Sequence, residues 1–171
     1  NTDIELENLE CAIGCCLALQ IKEQKIINIL SNVSNPPGRF QEIKYKKKNS
    51  KIIIDYAHTP NALKRILKSM IVDNKKPSVL FGCGGDRDKS KRELMGKIAK
   101  KYASNVYITD DNPRNEKPSK IRKHILDYCP TGIEIPNRRK AIKKAIKNIN
   151  SNEILIIAGK GHENTQIINN R

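Results

Sequence analysis

Aromatic residues are scarce in this chain: two Phe, five Tyr and no Trp among 171 residues. Stacking platforms for nucleic-acid bases are correspondingly few. No apolar run reaches the length that a membrane-spanning helix needs. The opening NTDIELENLE has none of the basic, apolar and cleavage regions of a secretory signal. Five cysteines (Cys11, Cys15, Cys16, Cys83 and Cys129) form no C-x-x-C pair and have no metal-ligand spacing, which argues against a zinc site. A reduced, cytoplasmic setting is the simplest account of them; three fall in one helical segment and read as small core residues. The chain starts without Met and ends in QIINNR without a capping signal, so the expectation is a piece of a longer protein. No internal repeat is visible.

Acidic residues are also few, 18 against 33 Lys and Arg, for a net charge of +15. That balance admits a nucleic-acid partner. The lysines are spread along the chain, however (Lys22, Lys44, Lys64, Lys97, Lys120, Lys143), which favours solvated helix faces over a dedicated patch. Anionic small substrates suit the same field.

The length allows one domain with a real core plus an appendage. Leu6, Leu9, Ile13, Cys16 and Leu17 repeat at helical spacing over residues 4–20, and a short helix follows at Glu23 to Leu30. Ser34-Asn35-Pro36-Pro37-Gly38 is the best boundary signal in the chain. Beyond it Ile43 to Lys47 is an expected edge strand, and Ile52–Ile54, Val79–Phe81, Val106–Ile108 and Ile154–Ile157 are compact runs of buried-strand type. Helices are expected from Thr59 (cap) and Pro60, over Lys89 to Tyr102 with a stripe of Leu94, Ile98 and Ala99, over Pro118 to Tyr128, and over Arg138 to Ile149. The alternation implies an α/β fold: a doubly wound, mostly parallel sheet with helices on both faces.

A polar cluster follows each of the four strands: Asp55-Tyr56-Ala57-His58-Thr59-Pro60, Gly82-Cys83-Gly84-Gly85-Asp86-Arg87-Asp88, Thr109-Asp110-Asp111-Asn112-Pro113-Arg114, and Ala158-Gly159-Lys160-Gly161-His162-Glu163. In a parallel sheet these loops share one edge, where open α/β sheets bind ligands. Each has a plainer reading. Asp55 and His58 can cap a helix, the glycine loop can be a strand-to-helix turn, and Asp111 to Arg114 is good β-turn chemistry. Lys160 between glycines resembles the tail of a phosphate loop, but the spacing is wrong and no Ser or Thr follows. His124 reads as an ordinary helix-surface residue. What plain turns leave unexplained is four of them bringing charge to one rim. Arg87 and Arg114 stand there against Asp111 and Glu163. Guanidinium forks take carboxylates, and carboxylates take an ammonium, so an amino acid is the natural ligand class.

The strings Gly38-Arg39, DYAHTP, FGCGGDRD with KR shortly after, TDDNPR and AGKGHE resemble those of the Mur ligases. Within that family they are most similar to the branch that adds meso-diaminopimelate in peptidoglycan synthesis. They come in the family's order and cover nearly the whole chain. The resemblance implies an ATP-dependent amide ligase acting through an acyl phosphate. Its substrates would be meso-diaminopimelate, ATP and UDP-N-acetylmuramoyl-L-Ala-D-Glu, with Mg2+ ligands outside this chain. Residues 1–36 would be a helical remnant of the central ATP-binding domain. Residues 37–171 would be the acceptor domain, truncated at its end and docking on the rest of the same polypeptide.

Carried residue by residue, Arg87, Asp111, Asn112, Pro113, Arg114, Gly159 and Glu163 match acceptor-binding positions. Arg114 would take the distal carboxylate that lysine lacks, Arg87 a carboxylate, and Glu163 with the Gly159 carbonyl an ammonium. Asn8, Arg39, Asp55 and His58 match positions lining the ATP site, although Glu5 stands where the family often has a second Asn. No catalytic residue and no metal ligand is assigned, and the piece alone is expected to be inactive. The alternatives are a sister ligase using L-lysine or another amine, a non-catalytic ligase relative, and a basic nucleic-acid-binding module. The TDDNPR string disfavours a folylpolyglutamate synthase.

Overall fold

The triple isoleucine Ile52–Ile54 enters the interior of a six-stranded sheet. In the computed structural model, which describes residues 3–169, that run is part of strand β2 (Ser50–Ile54). β1 (Gln41–Tyr45) pairs with it antiparallel, through a 3-10 turn at Lys46–Lys48. The other strands are β3 (Ser78–Phe81), β4 (Val106–Ile108), β5 (Ile133–Glu134) and β6 (Ile154–Ile157). The order is β1-β2-β6-β3-β4-β5, and every pairing except β1–β2 is parallel. β6, last in sequence, slots between β2 and β3. Strands β2, β6, β3 and β4 are therefore adjacent, with their carboxyl ends on one edge.

Successive strand residues point to opposite faces. Ile53, Val79, Phe81, Ile108 and Ile156 face one side. They pack with Leu63, Ile66 and Leu67 of α3 (Pro60–Ser69), Met95 and Ala99 of α4 (Ser90–Tyr102), and Ile121 and Ile125 of α5 (Pro118–Leu126). Ile52, Leu80, Tyr107, Leu155 and Ile157 face the other side and pack with Ala141 and Ala145 of α6 (Arg138–Asn148). Helices thus cover both faces, as the alternation implied. Burying each large aliphatic side chain contributes about 1.5–3 kcal/mol. The helix starts carry their signals: Thr59 Oγ1 accepts from Ala62 N at 3.3 Å before Pro60, and Asn137 Oδ1 accepts from Lys140 N at 2.9 Å.

Several expectations are corrected. Leu94 is exposed; the buried stripe of α4 is Arg92, Met95, Gly96 and Ala99, a true i, i+3, i+4, i+7 set. β1 begins two residues earlier than expected and ends at Tyr45. α5 stops at Leu126, and β5 had no sequence signal, being two residues long.

The chain divides into two compact units on either side of the Pro36–Pro37 bond. The first holds α1 (Asp3–Ala18) and α2 (Glu23–Leu30), with Ile26 buried and Asn35 Nδ2 donating to Glu5 Oε1 at 2.6 Å. Cys11 and Cys15 are exposed and Cys16 is half-buried, so they are not core residues here. Leu6 and Leu17 are exposed too. The apolar residues of α1 spread around the helix, and within its unit the short α2 covers only part of that circumference. The sheet and its helices form the second unit.

Candidate functional site

At the carboxyl edge of the sheet a cavity of about 410 Å³ opens among all four loops. Tyr56 and His58 reach it from the loop after β2. Gly82, Gly84, Arg87 and Asp88 come from the loop after β3. Asp111, Asn112 and Arg114 follow β4, Gly159 and Glu163 follow β6, and Lys91 adds to the rim from α4. Of the residues expected to bind the acceptor, six line this one cavity. Pro113 is the exception; it is buried under the loop. The lining charges balance: Arg87, Lys91 and Arg114 against Asp88, Asp111 and Glu163.

Close backbone contact holds the glycine loop against the DNPR loop. A Cβ on Gly85 would sit 1.9 Å from Pro113 O, so only glycine allows this approach. Gly85 N donates to Asn112 O at 2.9 Å, and Arg114 Nη1 donates to Gly85 O at 2.9 Å and Asn112 O at 3.3 Å. Arg114 itself has φ +50°, a sparsely populated conformation for a residue with a side chain. Its guanidinium is anchored on neutral carbonyls, which fix its place without cancelling its charge. Arg87 is exposed, with a 3.5 Å contact from its Nη1 to Asp86 O.

Glu163 is tied on both sides. Its Oε2 accepts from Lys160 Nζ at 2.9 Å and from Asn112 Nδ2 at 3.0 Å; its Oε1 accepts from the Tyr56 hydroxyl at 3.4 Å. Burial pushes this carboxyl up, but the Lys160, Asn112 and Tyr56 donors outweigh it and hold the group below its ordinary value. Gly159, at φ +104°, makes the turn that brings this segment back over the cavity.

The residues expected on the nucleotide side are arranged differently. Asp55 does not line the cavity. Its Oδ2 accepts from Phe40 N and its Oδ1 from Ala57 N, both at 2.8 Å, so it braces two loops. His58 lines the cavity rim, its Nδ1 2.8 Å from Tyr56 O. The Arg39 guanidinium lies 4.1 Å over the Tyr56 ring, and the same ring makes an edge contact with His58 and stacks on His162. Asn8 is exposed on α1, in the other compact unit.

Other residues were missed from sequence. Lys160, set aside as an imperfect phosphate-loop tail, is buried in the Glu163 network. Arg92 binds Glu116 bidentately and donates to Gly84 O at 3.2 Å, fastening α4 beneath the glycine loop. Arg138 Nη2 donates to Ala158 O at 2.9 Å, while its Nη1 is buried without a partner. Burial pushes that guanidinium down, opposed by the fields of Asp111 and Glu163. A basic residue opening a helix carried no sequence signal for this role. Asp110, by contrast, faces away and pairs with Arg122, which also binds Glu134 at 2.7 Å.

Cys83 lies under the site, but burial pushes its thiol up to about 12, which rules it out as a thiolate nucleophile. Among the described residues no group of three or more His, Cys, Asp or Glu side chains could hold a metal ion. No helix among them is long and apolar enough to cross a membrane.

A mostly parallel α/β sheet with a charge-balanced cavity at the carboxyl edge of four adjacent strands is the architecture of an α/β domain with a cleft suited to a small polar ligand. The family model for "Mur ligase, glutamate ligase domain" matches residues 38–161, and the chain belongs to that family. Two curated relatives carry the name UDP-N-acetylmuramoyl-L-alanyl-D-glutamate–2,6-diaminopimelate ligase. The one from Rickettsia bellii (strain RML369-C) is 49% identical over 84% of this chain and 31% of its own length. The one from Buchnera aphidicola subsp. Baizongia pistaciae (strain Bp) is 44% identical over 96% of this chain and 33% of its own length. A solved structure of a ligase of the same name aligns with a TM-score of 0.73 at 37% identity, covering 99% of this chain and 36% of the other. The chain spans about a third of the length of the curated relatives it matches.

Proposed function

We propose that this chain is the acceptor-binding portion of an ATP-dependent ligase that joins meso-diaminopimelate to UDP-N-acetylmuramoyl-L-Ala-D-Glu. The observation that carries the reading is the meeting of Arg87, Arg114, Asp111 and Glu163 around one cavity of zero net lining charge. An amino acid with an ammonium and a carboxylate at each end matches that pattern. Residues 1–36 would be the end of the ATP-binding domain and residues 37–171 the acceptor domain. The remainder of the polypeptide would be its partner, and the use of ATP sets the reaction in the cytoplasm.

ATP, with Mg2+ held outside this chain, would supply the activation that turns the D-glutamate γ-carboxylate into an acyl phosphate. The acceptor's amine then attacks that carbonyl, phosphate leaves, and the nitrogen loses a proton to give the amide. This chain's residues orient the amine. Arg114 takes the distal carboxylate, Arg87 assists with carboxylate charge, and Glu163 with the Gly159 carbonyl and Asp111 receives the distal ammonium. The far end is thereby fixed and the near amine left free to attack, which is catalysis by orientation. Arg39, stacked on Tyr56 beside the cavity, would meet phosphate charge, with His58 and Asp55 shaping that side. Asn8 would likewise serve the nucleotide.

The test is steady-state kinetics of the full-length ligase. Arg114→Ala should raise KM for diaminopimelate about 10- to 100-fold, the worth of a lost charge-assisted pair. KM for ATP should hardly move. An Arg114→Ala enzyme with wild-type diaminopimelate KM would sink the assignment. Wild-type preference for L-lysine would favour the sister ligase instead.

A further inference from the structure

We propose that Lys160 is a positioning residue for the acceptor: its ammonium clamps Glu163 Oε2 against Asn112, leaving Oε1 to receive the acceptor's ammonium. This rests on the diaminopimelate reading above and goes beyond it, because Lys160 itself faces no substrate.

The geometry fixes the arrangement in one sense only. Lys160 is 8% exposed, and its Nζ donates to Asn112 Oδ1 at 2.8 Å and to Glu163 Oε2 at 2.9 Å. Asn112 Oδ1 also accepts from Ile167 N at 3.0 Å. Two donors on that oxygen oblige the amide to present its Nδ2 to Glu163, which it does at 3.0 Å. The Asn112 side chain is therefore a strut, with no oxygen turned to a substrate. Oε2 of Glu163 has two donors; Oε1 has one long contact to Tyr56. The open half of the carboxylate is Oε1.

The same cation sets the protonation state. Burial favours the neutral carboxyl, and Lys160 leads the interactions that oppose it. Other charged or titratable groups around Glu163 are Tyr56, Asp111, Arg138 and the neighbouring His162. Without the Lys160 charge, burial is opposed only by the Asn112 and Tyr56 donors and the field of Arg138, and Glu163 takes up its proton at higher pH than in the wild type. A protonated Glu163 no longer attracts an ammonium. Acceptor binding would then fail on the acid side, where the wild type still binds.

The experiment measures KM for diaminopimelate and for ATP in the full-length ligase between pH 5 and pH 8.5. The wild type is compared with Lys160→Met, Glu163→Gln and the double variant. In Lys160→Met the diaminopimelate KM should climb severalfold more than in the wild type as pH falls to 5, because the carboxyl has lost the cation that leads the interactions keeping it ionised. KM for ATP should stay within about twofold. The extra pH dependence should vanish in the double variant, which separates Glu163 from His162. Lys160→Gln, also uncharged, should behave the same way and serves if Lys160→Met does not fold. A Lys160→Met or Lys160→Gln profile parallel to the wild type would overturn the proposal. So would a uniform loss against both substrates, the mark of a merely structural residue. A wild-type enzyme that does not use diaminopimelate would instead remove the reading beneath it.

Discussion

The Arg92 guanidinium grips both carboxylate oxygens of Glu116, Nη2 to Oε1 at 2.8 Å and Nη1 to Oε2 at 3.0 Å. The pair joins α4 to the turn that follows the DNPR segment. Glu116 Oε1 also accepts from Asp86 N at 2.8 Å, so the glycine loop is fastened to the same carboxylate. Two of the four loops of the site are thus held by one ion pair behind them.

That pair sets an acid limit. The Arg92 hydrogen bonds, against the effect of burial, lower the Glu116 carboxyl from 4.5 to about 2. A depressed carboxyl contributes stability that is full above its ordinary value and lost as pH falls toward about 2. Glu116 is partly exposed, so solvent screening holds the contribution to about 1 kcal/mol. Thermal melts between pH 5 and pH 2 should show a loss that Glu116→Gln abolishes in part. Identical pH slopes in the two proteins would exclude this linkage.

Gly85→Ala should destabilise the domain by about 1–3 kcal/mol, the usual effect of forcing atoms into a filled space. Its new Cβ would meet Pro113 O, so the DNPR loop must retreat and take Arg114 with it. The acceptor KM should rise along with the loss of Tm. A variant as stable as the wild type would show that the two loops do not touch in solution.

Neighbouring aspartates should behave oppositely. Asp110 pairs with the buried Arg122, whereas Asp111 lines the cavity. Asp110→Asn should lower Tm and leave the acceptor KM nearly unchanged. Asp111→Asn should keep the unfolding free energy within about 0.5 kcal/mol of the wild type and raise the acceptor KM. Chemical denaturation and steady-state kinetics on both variants read the two effects separately.

The net charge of +15 makes a further prediction. The chain should bind non-specific DNA weakly, and that binding should disappear by about 200 mM salt. Tight binding that persists at such salt, followed by fluorescence anisotropy, would support the nucleic-acid-binding alternative.

Much of this domain was written in local sequence. Isoleucine and valine runs of strand length specified the buried strands, because branched side chains packed on both faces suit no other local structure. Thr59 with Pro60 specified a helix start. Alternation of strand and helix made the sheet parallel, and parallel strands place their following loops on one edge. Arg87, Arg114, Asp111 and Glu163 could therefore be expected together before any coordinates.

Tertiary structure decided what each side chain does there. Asp55 and Glu163 are both acidic residues in the loops that follow strands, yet one braces backbone and the other faces the cavity. Lys160, Arg92 and Arg138 gained their roles from partners far along the chain: Asn112, Glu116 and Ala158. Sequence pattern reports the period of burial, a property of neighbours along the chain. Which oxygen accepts a given proton depends on strand order, and here the last strand inserts between the second and third. That insertion brings Glu163 and Lys160 onto Asn112, and it is set by packing of the whole sheet.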